Sequence, residues 1–248
     1  MGTWRYAAVA GLLVALLAPD TGAREFDRIG GRMLLGYNLP VMGLRTNWYT
    51  QAVRWGGSVV YNRNINNALE FEYHRLEYKD GKIENQTFTW NEDSKDYASP
   101  DSEASMRINS VLCNMVFRLG DKSRLFYNQG TSPYVVAGGG FHSYSNRVSG
   151  LIYPGQKGIP VEGSEENMLD PSVVLEPVEE SRWALGAHFG FGVERFMSNN
   201  FSLDFRVQHN FLVGTLGPRE AWGIKGVMPL LQTLDLEVAV KFYESGRD

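Results

Sequence analysis

Cysteine is almost missing from this chain. Cys113 stands alone among 248 residues, so neither an internal disulfide nor a multi-thiolate metal site can form. Histidine is scarce as well: the 4 residues, at 74, 142, 188 and 209, show no metal-ligand spacing, and no metal or other cofactor is expected. Neither sign of charge dominates. Charged residues make up 21% and the formal net charge is −4, which offers no basic field to a nucleic acid. A phosphate-binding glycine loop is also lacking, and Gly138-Gly139-Gly140 reads instead as close packing or a bend within a strand. Beyond residue 23 no apolar run approaches the ~20 residues of a spanning helix. Helix hydropathy alone would call this part soluble, but its periodicity says otherwise.

The N-terminus carries an address. Arg5 precedes the apolar run AAVAGLLVALLA at 7–18, and Thr21 and Ala23 put small side chains at −3 and −1 of a cut after Ala23. That is the pattern of a cleaved secretory signal peptide, and the run is too short to cross a bilayer as a helix. The expected organisation is a signal peptide over 1–23 and one domain over 24–248. No cysteine lies near the cut, which excludes a lipoprotein.

What is present is a period of two. In 201–213, FSLDFRVQHNFLV, the residues Phe201, Leu203, Phe205, Val207, Phe211 and Val213 share one parity, broken only by His209. Ser202, Asp204, Arg206, Gln208 and Asn210 share the other, so the segment is a strand with one oily and one polar face. Residues 234–243 repeat the design, with Leu234, Leu236, Val238, Val240 and Phe242 opposite Asp235, Glu237, Ala239, Lys241 and Tyr243. Further strands are expected at 182–196, 133–147, 105–119 and 68–79, the last losing its phase near Arg75, with weaker ones at 54–62 and 31–39. That makes eight.

Their connections alternate in length. Arg63–Asn67, Gly120–Arg124 and Met197–Asn200 are short and rich in turn residues, whereas 40–53, 80–104, 148–181 and 214–231 are long and polar. Short turns at one end and long loops at the other describe an up-and-down transmembrane β-barrel. The expected fold is therefore all-β: eight antiparallel strands, short periplasmic turns and long extracellular loops. Aromatic girdles are expected at Trp48, Tyr49, Trp55, Tyr78, Tyr144, Trp183 and Trp222 on the outer rim. Tyr61, Phe126, Tyr127, Phe196, Phe201 and Phe242 are expected on the inner one. Alternation does not say which face points inward, so a soluble barrel of the lipocalin type is the alternative. The loop asymmetry and the glycine-rich polar faces favour the membrane version.

Three segments carry a resemblance: PYVVAGGGF at 133–141, WALGAHFGFGVERFMSNNFSLDFRVQH at 183–209, and the final strand ending VKFY at 240–243. They resemble the OmpA/OmpW-like family of small outer-membrane barrels, loosely over 30–243 and well over 132–243. The resemblance implies residence in the bacterial outer membrane, contact with its lipid and lipopolysaccharide, and delivery by the barrel-insertion machinery. Two features depart from the family: five residues, Glu244 to Asp248, follow the aromatic Tyr243, and no peptidoglycan-binding domain follows the barrel.

Catalytic chemistry finds little support. Some small barrels of this kind are lipid A deacylases, which use a His and a Ser on one face of one strand. Here His142 and Ser143 are adjacent and face opposite ways, and His209 has no serine two residues on. No enzyme activity is expected. The polar faces hold the acids Glu70, Glu72, Glu194, Asp204 and Glu237 and the bases Arg118, Arg206 and Lys241. Inside a narrow barrel such charges must pair, which implies a salt-bridge network around Arg206 that plugs the lumen. Residues 148–180 carry seven carboxylates against Lys157 alone. Among them, Glu162, Glu165, Glu166 and Asp170 are candidates for binding divalent cations beside lipopolysaccharide phosphates. The expected role is structural or surface-interacting, with an extracellular partner that the residues do not identify. The alternatives are a narrow porin-like conduit for small or hydrophobic solutes and an outer-membrane lipid-modifying enzyme.

Overall fold

The computed structural model describes residues 28–41, 49–63, 66–79, 81, 87–90, 92–119, 130–157, 168–214 and 230–244. The expected signal peptide lies outside them, as do Trp48, Phe126, Tyr127 and Trp222. Eight long strands form the wall: β1 (Arg28–Pro40), β2 (Ala52–Asn62), β3 (Asn67–Tyr78), β6 (Glu103–Arg118), β7 (Thr131–Ser149), β8 (Val178–Phe196), β9 (Phe201–Val213) and β10 (Leu230–Tyr243). Each pairs antiparallel with the next, and β1 closes on β10 from Gly30 opposite Tyr243 to Pro40 opposite Thr233. A short hairpin, β4 (Thr87–Thr89) with β5 (Asp96–Ala98), occupies the connection between β3 and β6, where the sequence suggested only loop.

All eight expected strands are present, most of them longer at the end where the long loops lie. One connection differs. β7 begins at Thr131, so the β6–β7 link runs 119–130 instead of ending near Arg124, and it matches the 41–51 link at the opposite end. Length therefore does not alternate strictly. The end bearing 63–66, 119–130 and 197–200 is called the turn end below, and the other the loop end. The 197–200 turn is tight, with the Met197 and Ser198 N–H groups both donating to the Phe201 carbonyl at 2.9 and 3.1 Å.

The barrel is inside out relative to a soluble one. Large apolar side chains cover its outer wall: Trp183 is 74% exposed, Met33 67%, Phe191 63% and Phe141 60%, while the lumen is charged. Such a belt would be untenable in water and is what a lipid-facing wall requires. This disposes of the lipocalin-type alternative, and the fold is that of the small outer-membrane barrels. Nor does β3 lose its phase at Arg75. Leu69, Phe71 and Tyr73 are followed on the outside by Arg75 and Glu77, while Glu70, Glu72 and His74 are followed on the inside by Leu76 and Tyr78. The same inversion crosses β6, β7 and β8 along the paired row Arg75–Asn109–Ser143–Trp183. Above that row the outward residues of these strands are polar or charged, and the inward ones of β3, β6 and β7 are largely apolar, as a wall leaving the hydrocarbon requires.

The inverted section encloses an apolar cap. Tyr49 stacks on Tyr78 at 5.1 Å between ring centres, and Leu76, Phe88, Met106, Ile108, Tyr144, Val148, Leu151, Leu212 and Leu231 complete the cluster. Tyr49, Tyr78 and Tyr144, expected on the outer girdle, therefore point into the barrel mouth. Phe196, expected on the inner girdle, is likewise wholly buried, in a second apolar cluster with Val60, Val116, Val136 and Tyr243. Trp55, Trp183, Phe201 and Phe242 do lie on the outer wall.

Candidate functional site

Below the apolar cap the lumen is polar and filled. Inward positions of every long strand but β7 contribute Arg32, Arg54, Arg118, Arg206 and Lys241 against Glu70, Glu72, Glu194, Asp204, Asp235 and Glu237, all of them buried. Five cations thus face six carboxylates among the described residues. All eight charges singled out in the sequence lie here and are brought together.

At the turn end Glu194 is the hub. Its carboxylate accepts from Ser202 Oγ at 2.6 Å and Tyr243 OH at 2.5 Å, and lies 3.3 Å from Arg118 Nη2 and 3.5 Å from Lys241 Nζ. Arg118 also donates to Asn62 Oδ1 at 2.9 Å. Lys241 leads upward to Asp204 at 3.1 Å and Glu70 at 3.4 Å. Arg206 occupies the middle. Its Nη2 meets Glu70 at 2.7 Å, and its Nε donates to Tyr134 OH at 2.9 Å and lies 3.3 Å from Glu237. Tyr134 OH in turn donates to Asp204 Oδ1 at 2.5 Å.

Two arginines missed in the sequence complete the network. Arg32 spans Glu72 and Asp204, each at 3.1 Å, and also pairs with Glu237. Arg54 bridges Glu72 and Asp235 and lies 3.3 Å from Glu237. Asp235 was seen on a polar face but not assigned to the network; it accepts from Asn210 Nδ2 at 2.7 Å and from Asn38, whose amide oxygen takes the Tyr78 hydroxyl. An unbroken chain of polar contacts thus runs from Arg118 to the apolar cap. Glycine makes the room for it at Gly192, where an added Cβ would collide with the Tyr134 ring and come 2.6 Å from the Phe205 carbonyl.

Above the network lie His74, with Nδ1 2.8 Å from Glu72, and His142, with Nδ1 2.8 Å from Ser110 Oγ. The barrel thus brings a serine and a histidine together across neighbouring strands, although none pair within one strand. Both are buried, at 1% and 4% exposure, under Leu76, Ile108 and Leu212. Neither is open to solvent. Among the described residues no group of three His, Cys, Asp or Glu side chains converges as metal ligands would.

The cation candidates in the long loop stay apart from this site. Glu162, Glu165 and Glu166 lie outside the described residues. Asp170 turns back on its own loop, where its Oδ1 accepts from Ser172 N–H at 2.9 Å and Ser172 Oγ at 2.7 Å, holding the carboxyl below the usual aspartate range. The loops that are described form a packed cap: Trp90 meets Tyr153 edge-on at 5.8 Å, Ile152 bridges to Val174, and Tyr97 OH donates to Asp93 at 2.5 Å.

No protein-family model matches the chain, and no curated protein matches it. Among solved structures it is similar to Neisserial surface protein A, at 15% identity over 89% of this chain and 98% of that one, with a TM-score of 0.42. It is also similar to the N-terminal β-barrel domain of Pseudomonas aeruginosa OprF, at 12% identity over 88% and 98%, with a TM-score of 0.39. A third similarity is to Ail, the attachment invasion locus protein of Yersinia pestis, at 14% identity over 88% and 99%, again with a TM-score of 0.39.

Proposed function

We propose that this protein is a sealed structural barrel of the bacterial outer membrane that anchors a folded cap of loops at the cell surface. The observation that carries the reading is the lumen: one network of ion pairs and hydrogen bonds from Arg118 to Asn38, closed at the loop end by an apolar cap. Charges buried without partners cost several kcal/mol each, so the network persists only while every member is held by another. A conduit needs a continuous wet path, and these side chains occupy it. An enzyme needs an accessible nucleophile, and Ser110 is not one.

The cap is the part offered outward, as the surface for a partner. Its residues 87–90, 92–102 and 150–157 pack on one another and on the tall wall of β6, β7 and β8, which gives it a fixed shape. Orientation is testable at Ser94, in the turn between β4 and β5. A Ser94→Cys protein in a Cys113→Ser background is expected to react with an impermeant maleimide on intact cells. Reaction only after lysis would place the cap in the periplasm and overturn the surface role.

A further inference from the structure

The lipid-facing wall is not uniform. A trough of about 970 Å³ runs across β8, β9, β10, β1 and β2, lined by apolar side chains such as Met33, Leu35, Phe191 and Phe205. Toward the loop end it shares Tyr37, Val53 and Trp55 with a second depression of about 480 Å³, whose remaining lining includes Thr50, Gln51, Arg75, Glu77 and Lys79. The result is one amphipathic groove, oily along the membrane belt and polar where the belt ends. Arg75 stands at that border, as the register partner of the outward-facing Trp55.

The charges at the polar end are available. Glu77 lies between Arg75 and Lys79 but reaches Arg107 on the neighbouring strand, 3.8 Å away. Among the described residues Arg75 and Lys79 form no ion pair. A further depression around Lys79, Glu103, Ser105, Arg147 and Ser149, about 320 Å³, has no apolar extension. That depression shares Glu77 and Lys79 with the groove, so the basic rim continues past the oily trough while Arg75 stands at the trough's head.

We propose that this groove holds a lipid of the leaflet at the loop end, with its acyl chains along the trough and a phosphate-bearing headgroup on Arg75 and Lys79. A guanidinium can take two phosphate oxygens at once, and a tryptophan at headgroup depth fixes the level at which the chains begin. The inference rests on the lipid-facing reading of the outer belt but not on the sealed lumen, so either can fail without the other.

Phosphatidic acid, titrated onto the detergent-purified full chain and followed by native mass spectrometry, tests it. Retention of phosphatidic acid is expected, with weaker retention of diacylglycerol of the same chains and no displacement by inorganic phosphate. Arg75→Gln with Lys79→Gln should weaken binding by about tenfold or more. The charge-matched pair Lys95→Gln with Arg195→Gln, exposed on the cap and at the turn end of β8, should leave it unchanged, and heat-shifted gel mobility shows that each variant is folded. Equal losses in both pairs, undiminished binding without Arg75 and Lys79, equal retention of diacylglycerol, or displacement by phosphate would each overturn the proposal.

Discussion

Arg206→Ala is expected to destabilise the barrel by about 3–5 kcal/mol, the usual result of removing one partner from a buried ion pair. The substitution takes Glu70's contact at 2.7 Å and the guanidinium that holds Tyr134 OH at 2.9 Å. Glu70 then depends on Lys241 alone, 3.4 Å away, whereas Asp204 keeps both Arg32 and Lys241. The cost therefore falls mostly on Glu70. Replacing the pair together, as Arg206→Met with Glu70→Leu, should recover most of it, because the desolvation of both charges disappears along with their attraction. Urea unfolding from lipid vesicles, followed by tryptophan fluorescence, reads both variants. A single substitution that costs no more than an ordinary surface change, within about 0.5 kcal/mol, would mean that Arg206 is not held as described.

The residue before it should respond for the opposite reason. Phe205 lies outward, 52% exposed, between Val193 and Val238 on the neighbouring strands. Phe205→Arg places a charge in hydrocarbon and is expected to cost about 2–4 kcal/mol in a bilayer. Were the wall facing water, the same change would be nearly neutral. Two consecutive residues thus test the two faces: one position requires an arginine and its neighbour forbids one. Unfolding of the Phe205→Arg protein at the wild-type urea concentration would remove the lipid from the account.

The pattern of one face oily and one face polar was legible wherever it was unbroken. β9 and β10 read directly because nearly every outward residue is apolar and nearly every inward one polar. β1 and β2 read poorly because Leu34 and Pro40 or Ala52 and Val60 sit among the inward positions, and glycine occupies both faces. That dilution hid Arg32 and Arg54, although each has the parity of a polar face. Closure brings their importance out: Arg32 lies opposite Lys241 only because β1 pairs with β10. The apparent loss of phase at Arg75 was a change of solvent along an uninterrupted strand, and it moved Tyr49, Tyr78 and Tyr144 from an expected girdle into the mouth. A girdle and an inverted rim use the same residues, so aromatic content did not distinguish them. Tertiary contacts within the cap, such as Trp90 on Tyr153, leave no periodic trace.

Planar-bilayer recording of the purified protein, beside Arg206→Ala, tests the sealed lumen most directly. The wild type should show no steady conductance. Opening the middle of the network should produce flickering or sustained current in the variant, since Arg206 fills the level between Glu70 and Glu237. Large, stable wild-type channels that Arg206→Ala leaves unchanged would contradict the seal and make the protein a conduit.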